Sequence, residues 1–160
     1  MTNKLKLIVP SVLILAIIDQ ISKYFIKTHF FFFTKINIID GMLNLVYVKN
    51  KGVAFGFLSE LPASFRNPLL IWIPLVTCVV LLLYILFSNS LSKLEIAGFI
   101  FIIGGAVGNL IDRIFLGSVV DFLDFYYKNH HWPAFNFADT FISVGIALIF
   151  TDVIIRKVKK

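Results

Sequence analysis

A chain of 160 residues with 59% apolar and 15% charged side chains, and a mean hydropathy of +0.91, cannot enclose its hydrocarbon in a water-soluble core, so much of it must face lipid. The length suits one domain, 1–160, and is short for two. A net charge of +6 would suit nucleic acid, but four of the fifteen basic residues (Arg156, Lys157, Lys159, Lys160) fall in the last five positions beside an apolar run, which fits membrane lipid and no nucleic-acid partner. The single cysteine, Cys78, lies in an unbroken apolar run, which excludes an intrachain disulfide and reads as packing or lipid contact.

The opening MTNKLKLIVPSVLILAII has the basic flank and apolar core of a secretory signal, yet no small-x-small cleavage site precedes Asp19, so it reads as a retained span. Its fully apolar part is too short to cross a layer of about 30 Å at about 1.5 Å per residue. The helix must therefore run through Asp19 and Lys23, giving a span at about 7–26. The i, i+4 spacing lets that carboxylate and ammonium pair on one face, either only stabilising the helix or serving a site.

From His29 to Asn67 the pattern changes. Ile36, Ile38, Leu43 and Leu45 alternate in places with polar neighbours, and Asp40-Gly41 signals a two-residue hairpin, which predicts a small β element at about 35–57. The run NKGVAFG from Asn50 carries Gly52 and Gly56, which allow close backbone approach, although an ordinary loop has the same composition. Phe30 to Phe33 suit an interfacial belt, and Leu58 to Asn67 a short surface segment. A second span follows at about 68–87, with Pro68 in its first turn and Pro74 placed to kink it.

Ser92 and Glu95 have capping-box spacing and open a third span at about 94–116. Gly104 and Gly108 have the small-xxx-small spacing of tight helix contact. Gly105, Asn109 and Arg113 fall on one helix face with Asp112 beside them, more polarity than packing requires in a span. The loop 117–135 holds Asp121, Asp124, Lys128, His130, His131 and Trp132; adjacent histidines rarely aim at one ion, so no metal and no cofactor is expected. A fourth span at about 137–155 begins after Asn136, an N-cap type, with Asp139 three residues on, where it could be no more than a capping acid. Asp152 sits four residues before Arg156, the spacing of an interfacial pair.

Four spans leave both termini on one side. The termini and the 88–93 connection hold seven Lys/Arg in few residues, whereas the long loops spread theirs thinly, so the termini are expected in the cytoplasm. Asp19, Asp112 and Asp139 then all lie at the outer interface, a coincidence of three separately placed segments. Two carboxylates close together at low dielectric share a proton, and such a pair, read here as Asp121 and Asp139, can activate water and protonate a leaving amide. No convincing Ser-His or Cys-His arrangement competes with it. A carboxylate relay through the membrane would instead need acidic groups at several depths or an internal repeat, and a scaffold would use the charges only to join helices.

These residues resemble the lipoprotein signal peptidases, or signal peptidase II, small bacterial inner-membrane aspartyl proteases. Asp19-Gln20 with Lys23 is similar to the family's D-Q-x-x-K, Asn50, Gly52, Ala54 and Phe55 to its N-x-G-x-A-F, and Gly108, Asn109, Asp112 and Arg113 to its G-N-x-x-D-R. Val120-Asp121-Phe122 and Phe135-Asn136-x-Ala138-Asp139 are similar to the two segments with its catalytic aspartates, and Ser22 stands where threonine is common. The resemblance implies a mainly α membrane protein: four transmembrane helices, a small extracytoplasmic β element (the cradle) and a short periplasmic helix. It implies a bacterial inner-membrane enzyme that removes signal peptides from diacylglyceryl-modified prolipoproteins, cutting just before the lipidated cysteine; action as a monomer is expected. By the same resemblance Asp121 and Asp139 hold the water, Asn50, Gly52, Asn109, Arg113 and Asn136 position substrate and pair, and Asp19, Lys23 and Asp112 support the architecture.

Overall fold

The computed structural model describes residues 2–32, 34–52 and 58–158; Phe33, Ala54, Phe55, Gly56, Lys159 and Lys160 lie outside the described residues. Four helices, α1 (Thr2–His29), α2 (Ala63–Phe87), α3 (Lys93–Leu116) and α4 (Phe137–Val158), are each long and apolar enough to cross a membrane. Side chains such as Ile14, Ile21, Ile73, Val80 and Phe150 are exposed along them, as surfaces that meet lipid must be. α2 starts at Ala63, ahead of the expected Pro68, because ASFRN supplies its first turn. The separate short helix implied by the resemblance is absent among the described residues. In its place Leu58 to Leu61 form a turn, with buried Arg66 donating to the Ser59 carbonyl at 3.0 Å.

The expected capping box is present: Ser92 Oγ accepts from Glu95 N at 3.0 Å, and Glu95 Oε2 accepts from Ser92 N at 2.9 Å. At the other end Gly117 adopts φ +67, so its N–H closes on the Arg113 carbonyl and the chain turns into a strand two residues later. Both termini lie at one end of the bundle. There Lys4 Nζ donates to the Ile85 carbonyl (2.8 Å), Ser92 Oγ to Asp152 Oδ1 (2.7 Å), and Arg156 joins Asp152 to Glu95.

α3 is the axis against which the other three helices pack, and its glycines set the distances. Gly104 and Gly108 face α1 at Leu15 and Asp19, whereas Gly98 and Gly105 face α4 at Gly145 and Ala138. A Cβ on Gly105 would stand 2.3 Å from the Ala138 carbonyl oxygen, a backbone atom that cannot step aside. Gly105→Ala is therefore expected to push the start of α4 outward, lowering stability by about 1–3 kcal/mol. Thermal unfolding in detergent would show it, and an unchanged transition would refute this close approach.

A four-stranded antiparallel sheet in the order β1 (Lys35–Ile39), β2 (Leu43–Asn50), β3 (Val119–Tyr127), β4 (His130–His131) occupies the far end. The β1–β2 turn spans three residues, Asp40 to Met42, with Gly41 at φ +73, in place of the expected two. The larger correction is the segment expected as a loop, most of which is β3 and β4. Val119 to Phe122 are all buried, so polar and apolar residues do not alternate there and the strand signature is lost. Ile26, Tyr47, Val120 and Phe122, with Phe30 and Phe137 against them, form a core that seats the sheet on the ends of α1 and α4. A second core within the bundle contains Cys78 with Ile8, Leu15, Ile85, Ile100 and Ile103.

Candidate active site

A cavity of about 630 Å³ opens between β3, α3, α4 and the strand-like segment before α4. Asp121 and Asp139 both line it, with Asn50, Asn109 and Arg113. Asp121 comes from β3, where pairing with β2 places Asn50 opposite Val119 and Val48 opposite Asp121. Asp139 comes from the first turn of α4. It does cap that helix, since Asn136 N donates to its Oδ2 at 3.2 Å and Asp139 N to Asn136 Oδ1 at 3.0 Å. Capping is not its whole environment, because its Oδ1 turns toward α3 and accepts from Asn109 Nδ2 at 2.8 Å.

The two carboxylates are joined through side-chain amides. Asn136 Nδ2 donates to Asp121 Oδ1 at 2.7 Å and to Asn109 Oδ1 at 3.2 Å, so Asp121–Asn136–Asn109–Asp139 is one continuous chain. Asn50 Nδ2 holds Asp121 Oδ2 at 3.0 Å. Every carboxylate oxygen of the pair thus has a neutral N–H donor, which orients it without neutralising it. Burial first, and the Asp139 charge second, push the Asp121 carboxyl up to about 7 against the opposing pull of Asn50 and Asn136. Gly52 serves through its backbone: its N–H donates to Asn50 Oδ1 at 2.9 Å, and its carbonyl accepts from Arg113 Nη2 at 3.3 Å.

Behind the cavity lies a second polar layer. Lys23 is fully buried, and its three donors meet Asp19 Oδ2 at 2.7 Å, Asn109 Oδ1 at 2.9 Å and Asp112 Oδ2 at 3.3 Å. Asp19 Oδ1 accepts from Ala138 N at 2.9 Å and Asp112 Oδ2 from Val120 N at 3.0 Å. Those two amides immediately precede Asp139 and Asp121. The Asp19–Lys23 pair is therefore more than a helix-stabilising contact: one ammonium, through two carboxylates, fixes the backbone at both members of the pair. Gln20 completes the layer by donating to Asp112 Oδ1 at 3.2 Å and to the Gly108 carbonyl at 3.0 Å.

Sequence reasoning missed the apolar side of the cavity, where Val119, Phe125, Trp132, Pro133, Phe135 and Ile142 lie. The available signal was the aromatic and proline content of WPAF directly before Asn136, which reads as a wall only once β3 is recognised as its neighbour. It also passed over Asn44, which is fully buried and donates to Asp124 Oδ2 at 2.8 Å.

Paired carboxylates facing one cavity, each held by amides, at one end of a bundle built to span a bilayer, are the layout of a membrane aspartic protease. The family described as Signal peptidase (SPase) II matches residues 11–155. The lipoprotein signal peptidase of Syntrophus aciditrophicus is 37% identical over 144 residues, covering 90% of this chain and 89% of that protein. That of a Sulfurihydrogenibium species is 52% identical over 114 residues, covering 71% and 70%. A solved bacterial membrane enzyme superposes with a TM-score of 0.84 at 25% identity, covering 97% of this chain and 92% of that one. This chain belongs to the signal peptidase II family, and it is an aspartic protease and a multi-pass bacterial membrane protein.

Proposed function

We propose that this protein removes the signal peptide from diacylglyceryl-modified prolipoproteins by activating water between Asp121 and Asp139, cutting just before the lipidated cysteine. Removal of signal peptides from lipoproteins rests on family membership; the chemistry rests on one observation, that both aspartates face the same cavity with an amide donor on every oxygen. One carboxylate takes a proton from water as its oxygen attacks the scissile carbonyl carbon. The proton shared by the pair then passes to the amide nitrogen as the C–N bond breaks, leaving a free amine and a carboxylate product. Asn109 and Asn136 hold the geometry, and Arg113 with Asn50 and Gly52 receives the peptide backbone beside them.

The site lies at the end of the bundle opposite the termini. With the termini in the cytoplasm, a reading supported by the basic residues near them, it opens at the outer face of the inner membrane. A lipidated cysteine kept in the bilayer by its acyl chains presents its scissile bond at that depth. Every oxygen of the pair has its donor within the same chain, so the proposed chemistry calls on no second subunit. Purified protein with a diacylglyceryl-modified prolipoprotein is expected to release a product whose mass begins at the lipidated cysteine. A wild-type protein that leaves this precursor intact refutes the proposal.

The raised Asp121 carboxyl predicts the pH profile. The working form carries one proton on the pair, and with the Asp121 carboxyl at about 7 that proton is lost as pH rises through neutrality. kcat/KM is therefore expected to fall as pH rises above about 7. A profile flat from pH 6 to pH 9 would contradict a shared proton; those limits bracket the value of about 7.

A further inference from the structure

The polar cluster best fixed outside the catalytic network surrounds Asp124, on the outward half of β3. Asp124 is 8% exposed, and its carboxylate accepts from Asn44 Nδ2 at 2.8 Å and from His131 Nδ1 at 2.8 Å. The latter bond takes the His131 tautomer with its hydrogen on Nδ1. Asn44 lies opposite Asp124 in the β2–β3 register and is fully buried, so it fixes the carboxylate from beneath. His131 is paired in register with Tyr126, and its ring stacks on that tyrosine at 5.2 Å with an interplanar angle of 14°. Backbone, ring and Nδ1 together hold it in one place.

His131 immediately precedes the strap that walls the cavity. Trp132 N donates to the Phe125 carbonyl at 2.8 Å, and Phe135 exchanges hydrogen bonds with Leu123 at 2.9 Å and 2.8 Å. Between these two anchors Pro133, which has no N–H, and Ala134 cross the cavity and line it with Trp132. β4 has two residues, too few for its ladder alone to hold the outer anchor.

We infer that His131, Asp124 and Asn44 form a positioning clasp that holds Trp132–Pro133–Ala134 as the outer wall of the cleft and so sets how tightly the lipid-modified precursor is held. The inference rests on reading the cavity as the substrate site. The clasp touches neither Asp121 nor Asp139, whose donors are Asn50, Asn109 and Asn136, so its loss loosens substrate without disturbing the chemical step.

Two readouts test it on the full-length protein, comparing wild type with His131→Ala and with His131→Asn, which keeps an N–H donor near the position of Nδ1. Amide hydrogen exchange at Trp132 and Phe135 is expected to quicken about tenfold in His131→Ala and to stay near wild type in His131→Asn. With a diacylglyceryl-modified prolipoprotein, KM is expected to rise about fivefold in His131→Ala, with kcat within about twofold and recovery in His131→Asn. Exchange unchanged in His131→Ala overturns the clasp. Faster exchange with KM unchanged, or kcat falling at constant KM, overturns its role in holding substrate. A wild-type protein that cleaves nothing refutes the function proposed above, while the exchange measurement still decides the clasp. Should His131→Ala not accumulate, Asp124→Asn is expected to change both readouts in the same direction by smaller factors, and wild-type exchange in that variant overturns the inference.

Discussion

Asp121→Asn and Asp139→Asn are each expected to lower the cleavage rate of a diacylglyceryl-modified prolipoprotein by about 10³-fold while leaving the fold intact. The substitutions are close to isosteric. Each introduced asparagine keeps only one acceptor oxygen, so Asn50 or Asn136 loses its partner at position 121, and Asn109 or the Asn136 backbone N–H loses its partner at position 139, a local cost of about 1–3 kcal/mol. What disappears is the ability of one group to take a proton from water while its partner gives one up. The effects are expected not to multiply: because the pair acts as a unit, the double variant is no slower than either single one by more than a few fold. Single-turnover gel mobility of precursor against product gives the rates, and thermal unfolding of each variant shows that the fold persists. Either single variant cutting at the wild-type rate removes the dyad from the mechanism.

Lys23→Met is expected to be the most damaging change to stability, by about 3–5 kcal/mol. The ammonium is fully buried and contacts Asp19, Asp112 and Asn109; a thioether in its place leaves two carboxylates in the bundle without the cation bonded to both. Those carboxylates also hold the Ala138 and Val120 amides, so repulsion between them disturbs β3 and the start of α4 at once. The protein is expected to unfold at a lower temperature in detergent. Adding Asp112→Asn, which removes one of the two stranded charges, recovers part of the loss. A Lys23→Met protein that melts like wild type would mean that this charge layer is not what ties α1 to the site.

Where a segment's chemistry is local, the sequence disclosed it. The Ser92–Glu95 capping box depends on four neighbouring residues, and the four spans on unbroken apolar length, so both are visible without tertiary information. The polar residues of α3 stood out because a charged or amide side chain in a span needs a partner, and the structure supplies partners for Asn109 and Asp112 from α1, β3 and α4. β3 was hidden for the opposite reason. Buried on both faces at its start, VVDF lacks the period that marks a half-exposed strand, and its identity depends on β2 lying beside it. The apolar wall was hidden with it, because WPAF acquires a role only when Phe135 bonds to Leu123. Asp139 shows the limit of single-residue reasoning: its position predicts a capping acid, which it is, and nothing in the spacing reveals the second oxygen turned toward Asn109.

Lys23 and Asp19 belong to α1, Asn109 and Asp112 to α3, and Asn136 and Asp139 to the start of α4, so the network closes only when the last helix is in place. During synthesis the first three hydrophobic segments can enter the membrane as they emerge, yet the Asp19 oxygen that will receive the Ala138 amide waits for the final one. On the chemistry proposed above, a chain stalled before α4 lacks Asp139 and the Ala138 amide, and so carries only half of the pair.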